Sequence, residues 1–214
     1  MVITWYGQSC FKIQSGQLTV VIDPFDKSIG LTPPKFEAQM VLTTHDHFDH
    51  NNISTIKGDY FVVDGPGEYE YGGIRVRGIR SYHDNSGGEE RGLNTIYVVT
   101  IEDINLLHMG DIGQDKLTEE QLDVIGEVDI LMVPVGGNFT VDGEKALDIS
   151  NQVEPKIVIP MHYKLKGLKP GLDDVSGFLK AIGKTDVTAE EKLTIKKKDL
   201  PDPENKMEVV VLKI

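Results

Sequence analysis

The stretch Thr44-His45-Asp46-His47-Phe48-Asp49-His50-Asn51-Asn52 decides how the rest of the chain is read. Three imidazoles and two carboxylates fall within six residues, directly after the short apolar run 39–43, which predicts a strand. The cluster therefore belongs to a loop at that strand's end. Imidazole and carboxylate are the usual ligands of zinc and its neighbours, and neutral imidazole binds at pH 7 without a large proton cost. One ion cannot easily take all of these groups. His45 and His47 are placed to reach one ion while Asp49 and His50 reach a second beside it, as in two-metal sites. The competing reading is a polar loop with solvated histidines.

The remaining histidines bear on that choice. His83 lies in SYHDNSGGEERG, His108 in LLHMGDIG with Asp111, and His162 in IVIPMHYK. Each sits at or near the end of a run that predicts a strand, where sheet-based enzymes gather their catalytic loops. Alternating or β-branched runs predict strands over 2–6, 10–14, 18–22, 60–63, 74–81, 96–101 and 105–108. The second half changes rhythm: helix 117–125 between Asp115 and Gly126, strand 129–133, helix 144–152, strand 156–160, helix 172–182, and a final strand over 207–212. Two strand-rich sections, each followed by helices, fit two stacked sheets with helices outside, a layered α/β protein.

The chain has 214 residues, enough for one domain (1–214) with a substantial core and short for two. No apolar run approaches the roughly 20 residues of a membrane-spanning helix, and the N-terminal MVITWYGQSCFKI does not read as a secretory signal. With one cysteine, Cys10, no internal disulfide forms, and cytoplasm is the expected compartment. The net charge of −12 disfavours sequence-independent nucleic-acid binding.

An HxHxDH loop, a later His, a GD element and a late His resemble the metallo-β-lactamase superfamily over nearly the whole chain. Asp23 in VIDPF matches that family's early, mainly structural Asp. The resemblance implies a four-layer αββα sandwich, two mixed β-sheets flanked by helices, with the site at one edge. It implies two divalent ions, zinc first, with manganese or iron as alternatives: His45, His47 and His83 on one, Asp49, His50 and His162 on the other, and Asp111 bridging both. True β-lactamases usually lack the bridging Asp and often use a Cys ligand. Flavodiiron reductases replace the second loop His with Glu, whereas His47 is kept here, and no segment matches the tRNA-gripping arm of ribonuclease Z. The elements TWYGQSCFKI, PGEYE, RGLNTIYV, PVGGNFT and PMHYK are most similar to small prokaryotic hydrolases related to L-ascorbate-6-phosphate lactonase.

A water shared by two cations loses a proton readily; one zinc alone brings its pKa to about 7. The resulting hydroxide is the expected nucleophile, with Asp111 holding the metals at their spacing and Asp49 orienting it. His108 is read either as a proton donor or as a structural histidine, so the catalytic candidates are Asp49, Asp111 and His108. The expected reaction is hydrolysis of a small ester-like bond, a lactone or phosphoester, and the residual positive charge of the site suits an anionic substrate. The alternatives are a nuclease or cyclic-nucleotide phosphodiesterase, and a non-catalytic metal-binding sensor of the same fold. Metallohydrolases of this type often assemble, so a homo-oligomer is among the expectations. Segment 84–92 reads as a lid, with Arg91 for an anionic group, or as a solvated loop. Asn94 and Tyr163 are candidates for substrate contact, Gly136 and Gly137 for close backbone approach or a turn, Cys10 for the core, and 196–198 for an exposed strand or turn.

Overall fold

The computed structural model describes residues 1–202 and 205–214. In chain order the strands are β1 (Val2–Trp5), β2 (Phe11–Ser15), β3 (Leu18–Ile22), β4 (Met40–Leu42), β5 (Phe61–Val63), β6 (Gly67–Tyr71), β7 (Ile74–Tyr82), β8 (Leu93–Ile101), β9 (Ile104–His108), β10 (Ile130–Pro134), β11 (Ile157–Met161), β12 (Leu193–Thr194) and β13 (Glu208–Val209). The helices are α1 (Glu119–Ile125), α2 (Gly143–Val153) and α3 (Ser176–Ala181). One sheet has the order β12-β1-β2-β3-β4-β5 and the other β13-β11-β10-β9-β8-β7-β6. Both are mixed. β1 to β3 run antiparallel before β3, β4 and β5 become parallel. In the second sheet β6 to β9 are antiparallel, and β9, β10, β11 and β13 are parallel.

The period-2 alternation of a strand explains the packing. Val20 and Ile22 of β3, with Met40 and Leu42 of β4, face the large core between the sheets, which also holds Trp5, Tyr97, Leu107 and Ile159. Val21 and Val41 point the other way, into a smaller cluster with Cys10, Phe25, Ile29 and Ile56. β10 and β11 are buried along their whole length, as central parallel strands covered on both faces should be. α2 lies on β10 and against α3, and α1 lies against β7, so the α-helices belong to the second sheet. The outer face of the first sheet is covered by irregular chain and two short 3₁₀ turns, Lys27–Ile29 and Ile53–Thr55.

This is the expected sandwich of two mixed sheets, with fewer helical residues than the sequence suggests. α1 begins after Thr118, not at Leu117, because the Thr118 and Gln121 side chains form a reciprocal capping box. The expected helix over 172–182 shrinks to α3, and the final strand over 207–212 to β13. β6 was not expected; its sequence GEYEY is mostly exposed at a sheet edge and carries no burial alternation to read. Lys197–Asp199 is a 3₁₀ turn. Among the described residues, no helix is long and apolar enough to cross a membrane.

Candidate metal centre

Five chain segments meet at one edge of the sandwich. The β1–β2 turn brings Gln8 and Ser9, the loop after β4 brings His45 to His50, and the ends of β7, β9 and β11 bring His83, Asp111 and His162. The ligand-capable atoms of His45, His47 and His83 lie within 4.8 Å of one another, as do those of Asp49, His50 and His162; His45, His50 and Asp111 form a third such group linking the two. Asp111 Oδ2 is the hub: it lies 3.2 Å from His50 Nε2, 3.2 Å from His162 Nε2 and 3.5 Å from His83 Nε2. All seven residues expected from the sequence therefore come together. His50, His83, Asp111 and His162 are buried, while His47 is exposed.

The surrounding hydrogen bonds decide which nitrogens face the cluster. Asp23, fully buried, accepts from Thr44 N at 2.8 Å and from the Thr44 hydroxyl at 2.8 Å. Since that hydroxyl proton is spent on Asp23, the 3.0 Å contact between Thr44 Oγ1 and His45 Nδ1 is a donation from the imidazole. His45 Nε2 is left as a bare lone pair, buried and without a hydrogen-bond partner among the described residues. His50 Nδ1 likewise donates to Asp23 Oδ2 at 2.9 Å, and its Nε2 turns toward Asp111 without a hydrogen bond of good geometry. A carboxylate behind an imidazole is the common outer partner of a metal-bound histidine. Buried lone pairs aimed at one another are costly unless something positive satisfies them. The donor set and its orphaned nitrogens thus fit divalent metal.

The electrostatics divide the imidazoles. Burial, reinforced by His50, pushes His45 far below the ordinary imidazole pKa, and burial also lowers His83. His50 behaves oppositely: burial pulls it down, but the carboxylates of Asp111 and Asp23 outweigh burial and raise it well above the usual value. Burial alone would raise Asp111, yet His162 and His50 hold it well below the usual carboxylate range.

Three further side chains serve this site, Gln8 and Ser9 with no role read for them in the sequence and Asn94 in a role other than the substrate contact expected of it. Gln8 Nε2 donates to Asp49 Oδ2 at 3.0 Å and stands 2.8 Å from His162 Nε2, while its Oε1 is buried without a partner among the described residues. The Ser9 hydroxyl donates to Asp111 Oδ1 at 3.1 Å. Asn94 is buried and touches no cleft: its Oδ1 accepts from Asp111 N at 3.0 Å and its Nδ2 donates to Met109 O at 2.9 Å, which fixes the turn carrying Asp111. Gly110 in that turn has φ +55, and a Cβ there would sit 2.3 Å from Asn94 Oδ1. Gly136 packs against the His162 carbonyl, 2.1 Å from where its Cβ would be, so its close approach is to the histidine loop. Tyr163 is spent on the core, its ring 4.9 Å from Trp5 and its hydroxyl on Leu212 O.

His108 is not brought into the cleft. It is fully buried, Nε2 meets Ser9 O at 2.9 Å and Nδ1 accepts from Gly110 N at 3.2 Å. Both ring nitrogens are committed to backbone, which leaves neither free for a substrate proton in this arrangement. Its ring packs edge-on against Phe11.

Above the cluster opens a cleft of about 380 Å³, walled by Phe48, Arg91, Phe139 and Pro170 over Gln8, Asp49, His83 and Asp111. Two depressions of about 780 Å³ lie elsewhere, around Asp129 and Ser150 and around Tyr6 and Lys166; neither contains a histidine. Chemistry, not size, marks the smaller one. Segment 84–92 is an ordered loop at its rim, closed around Asp84, whose carboxylate accepts backbone N–H groups from Ser86, Gly88, Glu90 and Arg91 at 2.8–3.0 Å. Loss of solvent pushes that carboxyl up, but these four donors outweigh it and hold its pKa at about 2.

A protein of two mixed sheets with this loop-borne His and Asp constellation is of the metallo-β-lactamase class. The family model of the β-lactamase superfamily domain matches residues 2–162, and the chain belongs to the metallo-β-lactamase superfamily. Among its relatives, a metal-dependent hydrolase from Carboxydothermus hydrogenoformans is 30% identical over 76% of this chain and 84% of its own. One from Thermoplasma acidophilum is 28% identical over 75% and 82%. The crystal structure of a candidate zinc-dependent hydrolase of the superfamily from Thermotoga maritima superimposes with a TM-score of 0.80 at 33% identity, covering 99% of both chains.

Proposed function

We propose that the chain is a metal-dependent hydrolase that cleaves a small ester-like bond, a lactone or phosphoester, at a site holding two divalent cations. The observation that carries this reading is the convergence of five histidines, Asp49 and Asp111 around buried, unpartnered imidazole nitrogens at the floor of a small-molecule-sized cleft. His45, His47 and His83 would hold one cation, Asp49, His50 and His162 the other, with Asp111 between them. When bound, such a pair supplies Lewis acidity and lowers the pKa of a water held between the ions. The relatives named as metal-dependent hydrolases, and the zinc named for the Thermotoga protein, support the same chemistry.

The chain's own residues do the positioning. Asp23 orients His50 directly and His45 through Thr44; Ser9 and Asn94 hold Asp111; Gln8 donates toward Asp49. His108 supports the turn after β9, a positioning role. Hydrolysis adds water across the scissile bond, its oxygen joining the acyl or phosphoryl centre and its proton leaving with the departing oxygen. A cleft of about 380 Å³ on a chain of net charge −12 favours a small substrate over a nucleic-acid strand.

The test is turnover by zinc- and manganese-loaded protein against one panel of lactones and phosphodiesters, with metal content measured and Asp111→Ala alongside. Turnover lost in a folded Asp111→Ala is the expected result. Activity retained by that variant at normal metal content removes its bridging role. Metal-loaded protein inert across the panel favours the non-catalytic sensor.

A further inference from the structure

Resting on the hydrolase reading, we propose that the cleft selects substrates with a flat apolar body and one anionic group, the body packed on Phe48 and Phe139 and the anion read by Arg91. The volume suits a small molecule. Nearly all the wall the cleft exposes is apolar, although its floor is made of imidazoles and carboxylates. Phe48 is 60% exposed and Phe139 37%, two large apolar surfaces left in water at the mouth of a polar site. An aromatic or similarly flat body placed between them removes that surface from water and offers rings for stacking.

Among the described residues, Arg91 is the one Lys or Arg side chain that lines the cleft. Its guanidinium lies 5.3 Å from the Phe139 ring centroid, and among the described residues no carboxylate forms an ion pair with it. The acids of the cleft are engaged elsewhere, Asp49 with Gln8 and Asp111 with Ser9 and the histidines. A guanidinium offers a planar fork to a carboxylate or phosphate, and resting on an aromatic face keeps that fork extended.

The cation is also held in place relative to the chemistry. Arg91 N donates to Asp84 Oδ2 at 2.8 Å, Asp84 directly follows His83, and His83 N donates to Gly92 O at 3.1 Å. One short loop therefore carries a histidine of the candidate metal set at its start and the anion reader at its end, its ends tied by backbone hydrogen bonds. A binding group on such a braced frame loses little freedom when it engages a ligand.

The test uses binding of non-hydrolysable probes to the zinc-loaded full chain by titration calorimetry: benzoate, phenylphosphonate, neutral benzamide, and cyclohexanecarboxylate for the flat ring. Benzoate is expected to bind about tenfold tighter than benzamide, equivalent to about 1.4 kcal/mol. Arg91→Ala should close most of that gap and Arg91→Lys only part, since lysine keeps the charge without the fork. Phe139→Leu should narrow the preference for benzoate over cyclohexanecarboxylate. Whichever of benzoate and phenylphosphonate loses more affinity in Arg91→Ala identifies the anionic group. A benzoate advantage that survives Arg91→Ala assigns anion binding to the metals and overturns the proposal, as does equal binding of benzamide in the wild type. Binding is read without turnover, so a chain that discriminates these probes yet hydrolyses nothing overturns the hydrolase reading, not the selection.

Discussion

Replacing Asp23 by Asn should weaken both metal positions at once, although Asp23 belongs to neither set of candidate ligands. The Asp23 carboxylate accepts from Thr44 N, from the Thr44 hydroxyl and from His50 Nδ1. Asn keeps the size and the left-handed backbone that Asp23 adopts at φ 50, which Asn tolerates nearly as well. Its oxygen can still accept from Thr44 N, but an NH₂ group now stands where Oδ2 stood. That group donates to His50 Nδ1 and to Thr44 Oγ1. His50 must then carry its proton on Nε2, and the Thr44 hydroxyl turns to donate to His45 Nδ1, which moves the proton of His45 to Nε2 as well. One substitution thus inverts two tautomers, one in each candidate metal set. Outer partners of metal-bound histidines are worth about 10- to 100-fold in affinity, about 1.4–2.8 kcal/mol, and here the loss falls on both positions. Losing the charged hydrogen bond to His50 adds about 1.5–3 kcal/mol to the stability cost. Competition with a chromophoric chelator measures the affinities, and long-range ¹H–¹⁵N spectra of the imidazoles read the tautomers directly. A folded Asp23→Asn that binds both cations as the wild type does would refute the relay, and loss confined to the position served by His50 would refute its branch through Thr44.

Gln8→Asn shortens the amide that reaches Asp49 and His162, so turnover should fall about tenfold, the worth of one charge-assisted hydrogen bond, with metal content by mass spectrometry unchanged. Asp84→Ala removes the acceptor of four backbone N–H groups; the amides of Ser86, Gly88, Glu90 and Arg91 should exchange with deuterium at least about tenfold faster while β7 and β8 stay protected. Asp129, buried against Lys156 at 2.7 Å and Lys197 at 2.9 Å, governs part of the acid stability. Burial raises its pKa, but the hydrogen bonds from Lys156 and Lys197 outweigh that and lower it. A depressed carboxylate contributes stability above its unfolded pKa of about 3.9 and loses it as pH falls through the folded value. The urea-unfolding gap between wild type and Asp129→Asn should therefore shrink from about pH 6 toward about pH 3; a constant gap would exclude the linkage.

The fold and the candidate ligands were legible because both leave local marks. Strand alternation separates Val20 and Ile22 from Val21 without reference to the rest of the chain, and ligands capable of holding metal are rare side chains placed just after strands. The supporting residues leave no such mark. Gln8 meets His162 across 154 positions and Ser9 meets Asp111 across 102; an amide and a hydroxyl in a hairpin turn acquire meaning only when the two sheets stack. His108 is the opposite case. It has the side chain of a ligand but sits at the end of β9, paired with Tyr97 of β8 and Met132 of β10, and the strand turns it inward while Asp111, beyond the Gly110 turn, reaches the cluster.

Backbone strain is the remaining trace of the site, and a sequence without glycine at those positions conceals it. Gln8, Asp23 and His162 all adopt positive φ near 50°, a region that costs a non-glycine residue about 1–3 kcal/mol unless its surroundings impose it. Here they do. Gln8 O accepts from Trp5 Nε1 at 2.9 Å and from His162 N at 3.0 Å, so two of the strained residues brace each other. Asp23 N donates to Leu42 O at 2.9 Å while its side chain holds Thr44, two residues beyond Leu42. Glycine would adopt these angles without strain but would bring no amide, carboxylate or imidazole to the cluster. The chain keeps the functional side chain and meets the conformational cost with long-range hydrogen bonds. Glu102, Asp103, Asn138 and Glu154 adopt the same backbone region away from the cluster, so it is the side chain carried, not the angle alone, that sets Gln8, Asp23 and His162 apart.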